Sequence, residues 1–401
     1  MNINDIKKYI SKIIDENKED IFSVSKYLKD NPEIGFKEEK AYDFLTQKLS
    51  SLGFEIDNPT EKLPTSFLGK KSGLSHYKKI AILFEYDALP TIGHGCGHNM
   101  ISAISYGASL ALSKIDDLKG DIYVVGCPGE ENGGGKVILT NEGIFDNFDV
   151  AMMIHPSTEN KVYSTSLALD AIKFSYKGQT THASASPEKG VNALDAVIHL
   201  FNGINYLRQY LKDGTRIHGI ISNGGEAPNV IPDYAEAKFY FRAKTREYLD
   251  DVVKKGINIA EGASKMTGAE LSWDYYELSN DDLRPSKKLS ETFRKNYMEL
   301  GIKNIEPDSE GGGSTDVGNV SHRIPAVHPY ISIAPKHSIS GHTVEFRDAT
   351  LSKKGKEATL QAAKAIAFTT IDLLYEPNLL KNIKEDFEKK ETEPIPTPFK
   401  T

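Results

Sequence analysis

Apolar and polar positions alternate along the first part of the chain between short buried runs and longer segments of helical spacing. Residues 79–84, 121–126 and 148–154 are almost wholly apolar, which is typical of strands covered on both faces of a parallel sheet. Helical spacing of apolar residues is found over residues 5–31, 38–52 and 101–115. This alternation predicts an α/β domain with a mixed sheet.

The pattern changes at about residue 167. Alternating or apolar strand patterns and two amphipathic helix patterns then follow in the order β-α-β-β-α-β, which is that of a ferredoxin-like α+β domain. The strands are predicted at residues 171–176, 216–222, 234–241 and 270–276, and the helices at 191–211 and 248–266. We therefore predict an inserted lid or dimerisation domain at residues 167–277, within a catalytic domain formed by residues 1–166 and 278–401. In the part of the catalytic domain that follows the insertion, residues 289–300 and 351–374 have helical spacing, and residues 326–334 have a strand pattern.

Composition excludes several classes of protein. The 401 residues carry 49 Lys and Arg against 56 Asp and Glu, a net charge of -7 without a dense basic cluster, so nucleic acid is not an expected partner. No apolar stretch reaches the ~18 residues of a membrane span, and residues 1–20 lack the apolar centre of a signal peptide. The two cysteines exclude a disulfide framework. We expect a soluble cytoplasmic protein.

Potential metal ligands follow each of the three apolar strands. Cys96 and His98 come after the first, Glu130 and Glu131 after the second, and His155 after the third. Because functional crevices of open α/β sheets lie beyond the carboxyl ends of the strands, we expect these side chains to meet. Thiolate, imidazole and carboxylate are the groups that bind zinc and related ions. Taken alone, the segment of residues 93–99, which contains Cys96 and His98, could also be a glycine-rich turn with a free cysteine and surface histidines.

Several short motifs resemble those of the M20 family of metallopeptidases and amidohydrolases, in the branch of aminobenzoyl-glutamate hydrolases and dipeptidase-like relatives. The resemblance extends over nearly the whole chain. The resemblance rests on residues 87–90 (DALP), 94–99 (HGCGHN), 128–131 (PGEE), His155, 181–183 (THA), 229–233 (NVIPD), 314–316 (STD) and 341–343 (GHT). Two residues depart from the family pattern. Asn99 stands where most acyl-amino-acid relatives have an aspartate, and Cys127 stands where a threonine is usual.

The resemblance implies a two-metal hydrolase site. The ligands would be Cys96, His98, Glu131, His155 and His342, with zinc or manganese favoured and cobalt or nickel as alternatives. Glu130 would act as general base towards a metal-activated water.

The same resemblance assigns further roles. His182 would polarise the scissile carbonyl from the partner subunit of a homodimer formed through the inserted domain. Asn229 would contact the substrate, and Asp316 lies in a glycine-rich loop suited to lining its pocket. Asp87 and His94 either orient the metal ligands through hydrogen bonds, without binding metal themselves, or only form turns.

The expected function is hydrolysis of the amide bond of a small N-acyl amino acid or dipeptide, including aminobenzoyl-glutamate-like substrates. Two alternatives remain at this point. One is a deacetylase of a short N-acetylated amino acid or amine. The other is a non-catalytic regulatory module that binds metal, against which the retention of Glu130 beside all five ligands argues.

Overall fold

A computed structural model describes residues 2–392 of the chain, with side chains as far as Lys389. The chain divides into two compact units. The first contains the described residues up to Thr165, Leu283–Gly311 and those from Asn319 onward; the second contains Ser166–Asp282 and Gly312–Gly318. The sequence pattern places residues 278–282 and 312–318 with the catalytic part. In the structure these residues belong to the second unit. Backbone hydrogen bonds hold them there: Leu169 N donates to Asn280 O and Leu167 N donates to Gly313 O, both at 2.8 Å.

The described residues form twelve strands and twelve α-helices. The strands are β1 (Glu55–Asp57), β2 (Phe67–Lys71), β3 (Lys79–Glu85), β4 (Asp121–Cys127), β5 (Val150–Met152), β6 (His155–Ser157), β7 (Ala168–Lys177), β8 (Arg216–Asn223), β9 (Tyr234–Ala243), β10 (Glu270–Tyr275), β11 (Ala326–Val327) and β12 (Tyr330–Ser332). The helices are α1 (Ile3–Glu16), α2 (Lys18–Asp30), α3 (Glu39–Ser51), α4 (His98–Ser113), α5 (Gly135–Asn141), α6 (Ala193–Arg208), α7 (Arg246–Thr267), α8 (Lys287–Glu299), α9 (Val317–Ser321), α10 (Val344–Ala349), α11 (Lys353–Tyr375) and α12 (Leu379–Thr392). Single 3₁₀ turns lie at Phe145–Asn147 and Pro187–Lys189.

The first unit contains a mixed sheet with the strand order β1-β2-β4-β3-β5-β11. Strands β4, β3, β5 and β11 are parallel, whereas β2 pairs antiparallel with β4 and β1 with β2. The predicted strands β3 and β4 are confirmed and buried almost throughout. Their carboxyl ends, at Glu85 and Cys127, lie side by side. The short antiparallel strands β1 and β2 were not predicted.

The two apolar segments predicted as single strands contain shorter strands than expected. Residues 148–154 contain β5, and β6 begins directly after them at His155. Residues 326–334 contain β11 and β12, and β6 and β12 form a separate parallel pair. Pro329 lies at the break and has no N–H for a ladder bond. Its carbonyl instead accepts a hydrogen bond from His155 N at 2.9 Å, which carries His155 away from the main sheet.

The predicted helix over residues 5–31 is interrupted at Asn17. Asn17 ends α1 and precedes α2, and its side-chain amide donates to Ile13 O at 2.8 Å. A short polar side chain that bonds to the backbone competes with the helical hydrogen bonds, which explains the break. The predicted helices α3, α4, α8 and α11 are confirmed within a few residues.

The second unit is the predicted β-α-β-β-α-β domain. Its sheet has the order β10-β7-β9-β8, and all its pairs are antiparallel. The buried faces of α6 and α7 share an apolar core with β7 and β9. Strand β8 lies at one edge of the sheet and exposes Ile220 and Ile221.

Among the described residues, no helix is long and apolar enough to cross a membrane.

A buried lysine on α1 binds residues of α8 and α11. Lys7 Nζ donates to Asn296 Oδ1 at 2.8 Å and lies 3.0 Å from the Asp372 carboxylate, and both partners are buried. Removing one member of such a group leaves the other as an uncompensated buried charge.

We expect Lys7→Ala to lower the free energy of unfolding by about 3 kcal/mol, because it leaves Asp372 buried without its cation. Urea denaturation measures the change. Lys8→Ala is the matched control, since Lys8 is the exposed neighbour on the same helix. Equal stability of the two variants would contradict the assigned role of Lys7.

Candidate metal centre

Four segments supply the candidate ligands, namely those that follow β3, β4 and β5 and the loop that precedes α10. The loop after β3 leads through Cys96 into α4, whose first residue is His98. Gly97 precedes it with φ of +86°, and a Cβ at this position would lie 2.5 Å from Pro156 Cγ. Only glycine suits both the left-handed backbone and the close approach, so this residue sets the direction in which His98 enters the helix.

His98 is buried, and one of its two ring nitrogens is held by Asp87. Its Nδ1 lies 2.8 Å from Asp87 Oδ1 and 3.1 Å from Asp87 O. This arrangement fixes the ring and directs Nε2 towards three carboxylates, at 3.4 Å from Glu85 and 3.9 Å from both Glu130 and Glu131. A histidine held at one nitrogen by a carboxylate is the usual arrangement of a metal ligand.

His155 and Cys96 face each other beside this ring. Cys96 Sγ lies 3.5 Å from His155 Nε2, and the other ring nitrogen of His155 is 2.7 Å from Pro156 O. The Nδ1 contact with a carbonyl makes Nδ1 the protonated nitrogen, which leaves an acceptor lone pair on Nε2.

His342 completes the group from the last loop. Its Nε2 lies 3.3 Å from Glu131 Oε1, and its backbone N donates to Gly95 O at 2.9 Å. The residue has φ of +63°, an uncommon conformation for a histidine, and its side chain is exposed. This side of the cluster is therefore open to solvent within the first unit.

The ligand atoms fall into three overlapping groups in which all members lie within 4.8 Å of one another. They are Cys96 with His98 and His155, Cys96 with Glu131 and His342, and His98 with Glu130 and Glu131. Because Cys96 belongs to two groups that otherwise share no member, a thiolate at this position suits two neighbouring cations.

Burial favours the neutral forms of two of the candidate ligands, Cys96 and His155. Burial raises the pKa of the Cys96 thiol and lowers the pKa of His155 to about 4. Burial also opposes ionisation of Asp87, but the adjacent His98 outweighs it and lowers the pKa of that carboxyl. His98 Nε2 and Glu131 Oε1 are buried atoms without a hydrogen bond among the described residues. A divalent cation would satisfy both, so the donor set fits a metal.

The remaining predicted residues belong to none of the three ligand groups. His94 is buried next to His98, and burial lowers its pKa to about 3. His182 and Asn229 are exposed on the second unit in two loops joined to each other, since Ala183 N donates to Asn229 O at 3.0 Å. Asp316 is a buried residue of the second unit.

Three buried side chains near the cluster were not predicted from the sequence. Glu85 and Lys136 form an ion pair at 2.6 Å, and both are almost fully buried. Glu38 is fully buried, and burial together with the neighbouring Asp87 raises its pKa to about 7. The sequence did offer one indication of Glu85, because it is a charged residue at the end of the apolar strand β3.

Comparisons with known proteins identify the family of the chain. The profile of the M20_dimer family, a peptidase dimerisation domain, matches residues 168–265. The chain is 35% identical to the Xaa-Arg dipeptidase of Homo sapiens over 96% of this chain and 92% of that protein. It is 27% identical to a p-aminobenzoyl-glutamate hydrolase chain of Escherichia coli K12 over 99% of this chain and 98% of that protein.

A solved structure shares the fold. A dinuclear metal binding peptidase of the M20 family from Bacillus subtilis superposes with a TM-score of 0.70 at 19% identity, covering 90% of this chain and 99% of that one. The predicted fold class and the expectation of a hydrolase are confirmed by these similarities.

We expect Cys96→Ala to remove bound metal, because the thiolate is shared by two of the ligand groups. Elemental analysis of the purified protein should give about two divalent ions per wild-type chain and fewer in the variant. Cys127→Ala is the matched control, since Cys127 is a buried cysteine outside all three groups. Because the thiol must lose its proton to bind, retention should also weaken as the pH falls.

Full metal content in Cys96→Ala would contradict the assignment. Loss of metal in Cys127→Ala to the same extent would show that the effect is one of general destabilisation.

Proposed function

Because the chain belongs to the M20 peptidase family and is a hydrolase, we propose that it cleaves the amide bond of a dipeptide or small N-acyl amino acid at the strand-end cluster. The observation that carries the proposal is the set of ligand groups around Cys96, with Glu130 next to the ligand Glu131. A metal site that held ions only for stability would not require a second carboxylate turned towards the same imidazole.

The residues that would hold two divalent cations are Cys96, His98, Glu131, His155 and His342. When bound, such ions supply Lewis acidity, which polarises a carbonyl and lowers the pKa of water towards ~7. The carboxylate of Asp87 keeps His98 in the tautomer that leaves Nε2 free for a cation.

Glu130 is suited to the role of general base. Its carboxylate lies 3.9 Å from His98 Nε2, and its side chain retains more exposure than that of Glu131, 15% against 9%. It can therefore reach a water molecule at the open side of the cluster. We assign it the proton of the attacking water, which it would hold on its carboxylate and pass to the leaving amine.

A dipeptide is the substrate that we favour, because the 35% identical human relative is an Xaa-Arg dipeptidase. Aminobenzoyl-glutamate is the second choice, from the more distant bacterial relative. Both contain an amide bond to an amino acid with a free carboxylate.

We also propose a homodimer formed through the second unit, in the cytoplasm. The match to a dimerisation domain and the exposed apolar residues of the edge strand β8 support the dimer. In this proposal His182 serves the site of the partner subunit. A reducing compartment suits the free thiol of Cys96.

We expect the metal-loaded protein to hydrolyse at least one member of a panel of Xaa-Arg dipeptides and aminobenzoyl-glutamate. Glu130→Gln should keep its metal and lose on the order of 10² to 10⁴ in kcat, the usual contribution of a positioned acid-base group. Liquid chromatography of the released amino acid measures the rate, and N-acetyl amino acids in the same panel test for a deacetylase.

Near-normal turnover by Glu130→Gln would contradict the mechanism. Activity on N-acetyl amino acids alone would replace the dipeptidase proposal by the deacetylase, and loss of metal in this variant would show that Glu130 is itself a ligand.

Mixing two inactive variants tests the shared site. Glu130→Gln and His182→Ala chains should each be nearly inactive as homodimers. If His182 acts across the dimer, every mixed dimer contains one intact site, and random mixing should restore about a quarter of wild-type activity. Co-expression with two affinity tags followed by an activity assay measures it. Activity that stays at the level of the separate variants would show that His182 acts within its own chain or not at all.

A further inference from the structure

The segment between α2 and α3, residues 33–38, lies directly on the glycine-rich loop that carries Glu130. Gly35 approaches this loop so closely that a Cβ on it would be 2.8 Å from Gly129 Cα. The Phe36 ring covers Gly129 and Gly133, where a Cβ would meet the ring at 2.8 and 2.3 Å respectively. Phe36 itself has φ of +65°, a strained conformation for an aromatic residue.

Glu38 makes the polar contact of this segment with the loop. Its Oε1 accepts a hydrogen bond from Gly129 N at 2.8 Å, and its Oε2 accepts one from the Thr65 hydroxyl at 2.9 Å. The side chain is fully buried. A carboxylate that accepts from a backbone N–H forms a strong, charge-assisted hydrogen bond, so a buried one can define the position of the group that it binds.

Asp87 makes the matching contact on the other side of Glu130. Its Oδ2 accepts a hydrogen bond from Glu131 N at 2.9 Å, while its Oδ1 holds His98. Backbone N–H groups on both sides of Glu130 are thus bound by carboxylates that come from distant parts of the chain.

We propose that Glu38 is a positioning residue that sets the location of Glu130 by binding Gly129 N. The proposal rests on the function proposed above, in which Glu130 is the general base. Gly129 has φ of +66°, and four glycines lie within residues 129–135, so the loop has little conformational stiffness of its own. A displacement of about 1 Å at a catalytic group can cost about 100-fold in rate.

Substitutions at Glu38 separate charge from geometry. Glu38→Gln keeps an oxygen that can accept from Gly129 N, so kcat should stay within about threefold of wild type. Glu38→Asp withdraws the carboxylate by one methylene, and Glu38→Ala removes it. Both should lower kcat, by about 10-fold and up to about 100-fold respectively, with KM and metal content little changed.

Thr65→Val is the matched control, because it removes the other hydrogen bond of the same carboxylate and leaves the one to Gly129. It should keep near-normal kcat. Hydrogen exchange of the peptide that contains residues 129–135 should accelerate in Glu38→Ala and Glu38→Asp but not in Glu38→Gln. That measurement is independent of catalysis and remains available if the hydrolase proposal fails.

A double-mutant cycle shows whether Glu38 acts through Glu130. In the Glu130→Gln background, Glu38→Asp should cause little further loss of kcat, because the group that it positions is already disabled. Additive losses, or equal losses in Glu38→Gln and Glu38→Asp, would overturn the proposal. So would a loss in Thr65→Val as large as that in Glu38→Asp. If wild-type protein hydrolyses nothing, the proposed function fails first, and unchanged exchange of the loop in Glu38→Asp would separately refute the positioning role.

Discussion

The candidate site depends on the two hydrogen bonds made by the Asp87 carboxylate. One oxygen binds His98 Nδ1 and the other binds Glu131 N, so one side chain fixes an imidazole of the candidate metal centre and the loop that carries both glutamates. Asp87 is fully buried, and its negative charge is stabilised there by His98 despite the cost of burial. Replacing it would release two loops at once.

The sheet explains why these loops meet. Strands β4, β3 and β5 are adjacent and parallel, so the segments that follow them emerge at one edge. The break at Pro329 then carries His155 onto a separate two-stranded pair beside this edge. The cost of concentrating carboxylates and a thiol in a buried place is offset by Lys136, which pairs with Glu85, and would be offset further by the two proposed cations.

Much of this could be predicted from the sequence, since the strands β3 and β4, the helix α4 and the order of elements in the second unit depend on local patterns of apolar residues. Cys96, His98, Glu130, Glu131 and His155 followed from their positions at strand ends. Glu38 could not be found in this way, because its partner Gly129 lies 91 residues away and nothing local marks a glutamate that will be buried. The break at Asn17 was missed for a different reason: an asparagine in an amphipathic pattern is compatible with either outcome until its side chain binds the backbone.

The central claim is that two cations would be held at this edge of the sheet by Cys96, His98, Glu131, His155 and His342, with the thiolate of Cys96 available to both. Anomalous diffraction from crystals of the protein loaded with manganese or zinc, recorded at the absorption edge of the metal, tests it most directly. We predict two peaks per chain, both within about 2.5 Å of Cys96 Sγ, with His98 and His155 bound through Nε2. A single peak, or two peaks that do not share the sulfur, would contradict the claim.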